Sequence, residues 1–598
     1  MTDEASTPRA CYERRLGARG AVVAERRSRA RLLANLRLAV FTLALILAGL
    51  GFRSAVYGWG AGLAGLAFLA LVLAHDSARR ELERAERAVA WYERGLDRLA
   101  YRFAGRGRSG ERFARAEHPY AEHLDLFGNG SIFELLSLAQ TAAGEGCLAS
   151  WLLEPAAPDE IRARQAAVAE LRERLDLRED FAKLGPDLRD ALHAEALSAW
   201  GAEPALIQPT PALRLSALAL PSATLAAALL GYFAGAGILP LVAVLALQGS
   251  FALWLRGRVR HLVQAVERPA RELAMLVGLL ARLECERFDS PRLAALRSAL
   301  ATEGLPPSRQ VAQLGRILTL LDSRRNQLFA LIAPFLLWTT QLALALESWR
   351  LVCGPRVAEW IRVLGEFEAL SDLASYAYEH PDDPFPELAA GGTSFEAEGL
   401  GHPLLPESVC VRNDVRLDSG LALLIVSGSN MSGKSTLLRS VGTSVALALA
   451  GAPVRAKRMR LSPLSLGASL WNPDSLLEGT SRFYAEITCL KRIVALAEEP
   501  PPLLFLLDEI LQGTNSHDRR IGATEVVKGL VDRGAIGLIT THDLALTEMV
   551  EAVGRRARNV HFEDQLENGR MSFDYRLRDG VVARGNALAL MRAVGLKV

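Results

Sequence analysis

The stretch from Leu423 to Thr436, LLIVSGSNMSGKST, constrains the fold more than any other part of the sequence. It begins with an apolar run rich in Leu, Ile and Val, which predicts a strand that is buried on both faces. The run stops at Ser427 and Gly428, and a helical pattern resumes at Thr436. The intervening G-x-x-x-x-G-K-S spacing is typical of a phosphate-binding loop between a strand and a helix.

The residue types in this loop suit an anion. Gly428 and Gly433 permit backbone angles that a side chain would forbid, so successive N–H groups can point inward, and the helix N-terminus adds partial positive charge. Lys434 supplies an ammonium for the β- and γ-phosphates, and the Ser435 hydroxyl can coordinate Mg²⁺. The alternative is a chance turn rich in Gly and Ser. We assign nucleotide binding to a continuous set of residues: Gly428, Ser429, Asn430, Met431, Ser432, Gly433, Lys434, Ser435 and Thr436.

Two further apolar runs end in side chains that suit phosphate chemistry. The run LLFLLDE predicts a buried strand whose final Asp508 binds the metal, and the next residue, Glu509, acts as the general base. The run GLITTH ends in His542, which we assign to contact with the γ-phosphate, although a single His at the end of a strand is more often structural. Together with Lys434, these residues predict ATP hydrolysis with Mg²⁺ as cofactor.

The same segments carry a family resemblance. SGSNMSGKST resembles the Walker A motif of the MutS mismatch-repair ATPases, and DEILQGTNSHD resembles their Walker B motif and the loop after it. The segment from Gly479 to Ile487 is similar to their serine-containing signature, and His402 to Leu405 matches the stretch before their P-loop strand. The chain is therefore identified as a MutS-related protein over residues 127–205 and 266–598.

This resemblance implies a mechanism that two chains share. It implies a homodimer in which ATPase domains face each other and move helical levers through the nucleotide cycle. Ser481 would approach the γ-phosphate bound by the partner chain, and Asn515 would lie near the interface. Ser481 can instead be read as a helix cap before Phe483. The resemblance also implies mismatched or branched DNA as a partner.

Several features depart from the family pattern. Cys410 stands where the family has an aromatic residue against the adenine, and Gln512 and Asp543 replace a usual Arg and a usual aromatic residue. We find no mismatch-reading domain, wedge motif or connector domain. Where the family has its DNA clamp, this sequence has an apolar stretch, so the expected ATP chemistry is retained whereas the family's DNA-reading parts are missing.

The hydropathy pattern predicts membrane segments. Residues 38–52 and 54–74 form two uncharged runs, and residues 215–255 are a longer one with a turn-forming sequence at Gly235 to Pro240. Residues 38–74 and 215–255 therefore predict two membrane hairpins in contact with lipid. Flanking arginines place the ATPase domain in the cytoplasm and the chain in the inner (cytoplasmic) membrane. The alternative is a cytoplasmic protein with two buried helical hairpins. A third uncharged run, from Asn326 to Leu346, favours a buried core helix.

Composition narrows the choice of partner and compartment. The net charge of +2 predicts no general affinity for polyanions. The six cysteines are scattered without a C-x-x-C pair, which argues against a structural metal or a disulfide framework.

The expected fold class is an α/β ABC-type P-loop ATPase domain at the C-terminus, preceded by an all-α MutS-like core and lever domain with two transmembrane helical hairpins. One functional hypothesis is a MutS-related ATPase that acts in DNA binding or mismatch-repair-like DNA metabolism. The other is a membrane-anchored, ATP-driven scaffold or signalling ATPase without mismatch recognition. The expected segments are a basic N-terminus with the first hairpin (1–80), a charged linker (81–125), a first core part (126–210), the second hairpin (211–258), returning levers (259–390) and the ATPase domain (391–598).

Overall fold

The structure is a computed structural model. It describes residues 7–184, 193–235, 237–301, 304–325, 327–389, 391–429, 431–470, 482–567 and 570–582. The chain is helical through Glu379, and strands begin only after that residue. The helices before that point are α1 (Pro8–Gly51), α2 (Ala55–Leu99), α3 (Ile132–Leu136), α4 (Ala142–Leu153), α5 (Pro158–Glu173), α6 (Leu175–Leu184), α7 (Ala194–Ala202), α8 (Pro211–Phe233), α9 (Leu239–Glu284), α10 (Pro291–Ala299), α11 (Pro307–Asp322), α12 (Gln327–Ile332), α13 (Trp338–Cys353) and α14 (Val357–Glu379).

The first two helices form an extended hairpin. Helix α1 begins at a cap, because the Thr7 side chain accepts a hydrogen bond from the Ala10 N–H and Pro8 occupies the first turn. At 44 residues, it is longer than a bilayer core requires. Its charged first half packs beside the second half of α2, where the buried Tyr12 ring lies against Trp91 and Tyr92. The apolar segments of both helices lie at the turn, around Phe52.

Helices α8 and α9 form a second hairpin, in which α8 ends at Phe233 and α9 begins at Leu239. Gln248 of α9 is buried and accepts a hydrogen bond from the Thr224 hydroxyl of α8 at 2.6 Å. Its amide donates to the carbonyls of Pro334 and Phe335. This residue therefore fixes the segment between α12 and α13 against the hairpin. The uncharged run expected to form one core helix is instead divided between α12 and α13, and Leu337 has a φ of 48° at the break.

Within the described part of the chain, four helices, α1, α2, α8 and α9, are long and apolar enough to cross a membrane, judged by length and composition. At most 17% of the most apolar window in each is buried by the protein. Large apolar side chains therefore face outward along these windows, among them Leu38, Leu63, Leu66 and Leu253.

The remainder of the chain is an α/β region with two sheets. The smaller sheet has the order β1-β5-β2-β3 and the larger one β10-β9-β4-β8-β7-β6. In the larger sheet β9, β4, β8, β7 and β6 are parallel, and β10 returns antiparallel to β9. The elements of this region are β1 (Glu387–Leu388), β2 (Ser394–Leu400), β3 (Asn413–Asp418), β4 (Leu423–Ser427), α15 (Lys434–Ala450), β5 (Arg458–Leu461), β6 (Ser465–Ser469), α16 (Arg482–Leu496), β7 (Leu503–Asp508), α17 (Ser516–Asp532), β8 (Ile536–Thr541), α18 (Met549–Val553), β9 (Ala557–Glu567) and β10 (Arg570–Asp579).

The expected fold class needs a correction. We expected an all-α domain followed along the chain by a separate α/β ATPase domain. Although residues 1–380 are helical and the α/β region follows them, the compact units do not divide there. One unit comprises residues 1–138, 146–179 and 369–598, and the other comprises residues 139–145 and 180–368. The N-terminal hairpin and several later helices thus belong to the same unit as the α/β region.

Candidate nucleotide site

The candidate site lies at the carboxyl edge of the larger sheet. Strand β8 lies between β4 and β7, and Thr540 is paired in register with both Val426 and Asp508. All five residues of β4 are buried, as its apolar sequence predicts for a central strand. Because neighbouring parallel strands end at one edge, the phosphate-loop residues and the carboxylates that follow β7 come together.

Two glycines give the loop its shape. Gly428 has a φ of 155° and Gly433 a φ of 101°, conformations that L side chains rarely adopt. A Cβ at Gly428 would also lie 2.8 Å from the Ser432 hydroxyl oxygen. The hydroxyls of Ser429 and Ser432 are buried and have no hydrogen-bond partner among the described residues. The loop therefore presents polar groups that a bound anion could satisfy.

Lys434 occupies the first position of α15 and its side chain is buried. Its Nζ donates to the carbonyl oxygens of Gly428 and Ser429 at 2.9 and 2.8 Å and lies 3.8 Å from Glu509 Oε1. Burial lowers the pKa of the Lys434 ammonium, and the carboxylates of Glu509 and Asp508 oppose that shift. The cation is thus held within the loop, beside the two acidic residues.

The acidic residues are positioned by β8. The Thr540 hydroxyl donates to Asp508 Oδ1 and accepts from the Glu509 N–H at 3.0 Å. Glu509 follows the strand with a φ of 50°. Its Oε1 lies 3.2 Å from Nδ1 of His542, which is 48% exposed. A carboxylate held between a lysine and a histidine at a cavity wall is suited to orienting water.

A cavity of about 680 Å³ contains this chemistry, within the size range of small-molecule sites. Lys434, Ser435, Thr436, Asp508 and Glu509 all line it. Apolar residues complete the wall, namely Leu400, Leu405, Val409, Val411 and Phe562, together with the ring of Tyr575.

Tyr575 reaches the cavity because the β9–β10 hairpin changes register between Phe573 and Leu577. The Asn413 amide donates to the Tyr575 carbonyl at 3.0 Å, and the Leu577 N–H donates back to Asn413 at 2.7 Å. A Cβ at Gly433 would lie 3.1 Å from the Tyr575 ring. The hairpin thus places an aromatic ring beside the phosphate loop.

The other assigned residues have varied surroundings. Met431 lines the cavity and is 85% exposed. Asn515 does not line it; its side chain caps α17 by accepting from the Asp518 N–H at 2.9 Å. Its expected place at a dimer interface stays a prediction. Asn430 and Ser481 lie outside the described residues. Cys410 does not line the cavity, but its neighbours Val409 and Val411 do.

Sequence reasoning missed Tyr575, Thr540 and the role of Asn413. The sequence did contain a signal for Thr540. It is a polar residue near the end of an apolar strand, so it could have been placed at the same sheet edge as Asp508. No local pattern marks Tyr575, since its position depends on a hairpin far along the chain.

The parallel sheet, the glycine-bounded loop and the helix that begins at Lys434 define a protein of the P-loop class. The family model for MutS domain V matches residues 424–597. This match confirms, for residues 424–597, the MutS resemblance drawn from the motifs.

Several named relatives match part of the chain. It is 32% identical over 215 residues to the protein called endonuclease MutS2 from Thermus thermophilus, covering 35% of this chain and 27% of that protein. It is 31% identical over 251 residues to DNA mismatch repair protein MutS 2 from Halobacterium salinarum, and 32% identical over 253 residues to DNA mismatch repair protein MutS from Desulfosudis oleivorans. Each of these two matches covers 41% of this chain and 28% of the relative. The chain thus spans less than a third of the length of these relatives.

Proposed function

We propose that the chain binds ATP at the Lys434 cavity and hydrolyses it. The observation that carries this proposal is the convergence of Lys434, Asp508 and Glu509 on one cavity beside a loop with unsatisfied buried hydroxyls. Lys434 and the loop hold the phosphates, and the Tyr575 ring lies where it can cover the base. Glu509 takes a proton from the attacking water, with His542 beside it.

The residues present also fit Mg²⁺. Ser435 supplies a hydroxyl oxygen and Asp508 a carboxylate oxygen, the ligand types that this ion prefers. When bound, Mg²⁺ neutralises charge on the phosphate oxygens. Thr540 keeps the Asp508 carboxylate in place through its hydroxyl.

ATP turnover by the detergent-purified full chain tests this assignment. We expect Lys434→Ala to lose ATP binding and turnover, and Glu509→Gln to keep binding while turnover falls by about a hundredfold or more. Lys457→Ala, at an exposed lysine of the same region, is the matched control and should behave like the parent chain. Normal turnover in the Lys434→Ala variant would exclude the site.

We also propose that α1, α2, α8 and α9 cross a membrane, with the α/β region in the cytoplasm. The length of their apolar segments and the low burial of those segments support this proposal. A soluble protein rarely leaves so many large apolar side chains exposed in continuous rows. Alkaline carbonate washing of cell membranes tests it, because a spanning chain stays in the pellet and a peripheral chain is released.

For the wider role, we propose DNA metabolism of the MutS type. The relatives are called DNA mismatch repair proteins and an endonuclease, and these names support a role in DNA metabolism for the shared region. The four apolar helices favour a second candidate, a membrane-held ATPase that rearranges a protein complex without DNA. Measuring turnover with duplex, mismatched and branched DNA separates the two. DNA action predicts stimulation and binding that weakens steeply with salt, whereas the second candidate predicts neither.

A further inference from the structure

A second large cavity lies in the unit formed by residues 139–145 and 180–368, and none of its lining residues is assigned to ATP. Its volume is about 820 Å³, and it lies between α9 and the break that separates α12 from α13. Both ends of that break are firmly held, since Gln248 binds the Pro334 and Phe335 carbonyls and the Trp338 indole donates to the Leu320 carbonyl at 2.8 Å. The cavity is therefore part of a fixed arrangement of helices.

The charge on its wall has one sign. Arg256, Arg260 and Arg324 line the cavity, and no Asp or Glu is among its described lining residues. None of the three arginines forms an ion pair with a described carboxylate. Further along α9 the pattern changes, because Arg268 pairs with Glu272 and Arg271 with Glu267. Among the described residues, the positive charge beside the cavity thus has no carboxylate partner.

This charge is located where the apolar part of α9 ends. No charged residue occurs between Leu239 and Leu255, and Arg256 follows directly. The neighbouring segment exposes Leu331 by 72%, Ile332 by 54% and Phe335 by 53%. An occupant that satisfies both features carries an anionic group for the arginines and a hydrocarbon tail for the exposed apolar surface.

We propose that this cavity binds the phosphate head group of an anionic glycerophospholipid whose acyl chains lie along α9 and the α12–α13 break. Arg256, Arg260 and Arg324 hold the phosphate, and Gln264 and Thr339 are the nearby polar groups of the lining. The inference rests on the proposed membrane position of α9. It adds to that proposal a site that selects lipids by charge.

Lipid titration of the detergent-purified full chain tests the site. The probe is fluorescent phosphatidylglycerol, compared with phosphatidylcholine bearing the same chains. We expect phosphatidylglycerol to bind at least about tenfold more tightly, and Arg256→Gln/Arg260→Gln to remove that preference. The matched control is Arg309→Gln/Arg316→Gln, which removes the same charge from exposed positions of α11 and should keep the preference. If the first variant does not fold, Arg324→Gln alone should weaken phosphatidylglycerol binding by several fold.

The other outcomes overturn the proposal. Equal binding of both lipids, or equal losses in test and control variants, excludes a charge-selective lipid site. If millimolar inorganic phosphate displaced the fluorescent lipid as effectively as unlabelled lipid does, the acyl chains would contribute nothing to binding. Displacement of the lipid by duplex DNA would make this a nucleic-acid site instead. If alkaline carbonate released the chain from membranes but the purified chain still preferred phosphatidylglycerol, only the membrane-spanning proposal would be rejected. The membrane proposal and the lipid-site proposal can therefore fail separately.

Discussion

At the residue scale, the site depends on one hydroxyl that contacts both acidic residues. Thr540 is fully buried, donates to Asp508 and accepts from the backbone N–H of Glu509. It therefore orients the carboxylate assigned to the metal and holds the backbone of the residue assigned to the attacking water. A small displacement of the Thr540 hydroxyl would therefore affect Asp508 and Glu509 together.

Thr540→Val tests this role, since valine has nearly the same shape but no hydroxyl. We expect kcat for ATP to fall by roughly tenfold with little change in KM, because the Asp508 carboxylate loses a hydrogen-bond donor while the phosphate loop is intact. Thr540→Ser keeps the hydroxyl and should retain most of the activity. An unchanged kcat in the valine variant would show that Asp508 and Glu509 are positioned by other contacts.

Tyr575 carries a second prediction at this scale. Because its ring lies beside Gly433 and lines the cavity, it can stack on a nucleotide base. Tyr575→Ala should raise the KM for ATP by roughly tenfold, the usual cost of losing one aromatic stack, while kcat changes little. Tyr575→Phe keeps the ring and should restore the KM. A loss of kcat alone would assign Tyr575 to a different step.

At the scale of elements, buried polar contacts connect the N-terminal hairpin to the wall of the nucleotide cavity. The Leu405 carbonyl, beside that cavity, accepts from Arg455 at 2.6 Å. The Arg455 guanidinium lies 5.7 Å from the centre of the Tyr101 ring, directly after α2. On α2 itself, Arg98 forms a two-point ion pair with Glu379 at the end of α14. Since α2 also contains an apolar segment, these contacts connect the cavity wall to the helix that carries this segment.

Arg98→Met tests how strongly α2 is attached to α14. The change leaves the buried Glu379 carboxylate without its cation, so we expect stability to fall by about 3–5 kcal/mol, seen as a lower thermal midpoint in detergent. Adding Glu379→Gln should recover most of the loss, because the amide needs no counterion and can still accept from the Tyr12 hydroxyl. The control is Arg9→Met. Arg9 pairs with Glu13, and the two side chains are 60% and 59% exposed, so this change should lower the stability by less than about 0.5 kcal/mol. Equal effects of the two single changes would contradict the argument.

Local signals explain which elements were predictable. The strands now seen as β4, β7 and β8 were expected from apolar runs that end in functional residues, and the turn between α8 and α9 from its Gly and Pro content. The break between α12 and α13 was missed because it depends on Gln248, about ninety positions away, which binds the carbonyls there. Tyr575 depends in the same way on Asn413. Contacts between distant residues leave no periodic trace in a single sequence.

At the scale of the whole molecule, the same limit explains the error in fold class. The sequence suggests helical and α/β domains in succession, because the apolar runs that predict strands all lie after residue 420. The compact units are instead assembled from separate stretches of chain, so the N-terminal hairpin shares a unit with the α/β region. Buried pairs between residues far apart, such as Arg98 and Glu379, produce this division.

The last prediction concerns assembly. Met431 lines the nucleotide cavity and is 85% exposed in a single chain. Outside the cavity lining, Tyr484 and Ile487 on α16 are exposed by 63% and 42%. Hydrolysis requires that bulk water be excluded from the nucleotide cavity. We therefore expect a second chain to cover the cavity when ATP is bound. For Glu509→Gln with ATP, light scattering with the detergent mass subtracted should show a dimer, whereas Lys434→Ala should stay monomeric. Turnover per chain should also rise with protein concentration. A monomeric mass together with full turnover in dilute solution would show that one chain completes the site alone.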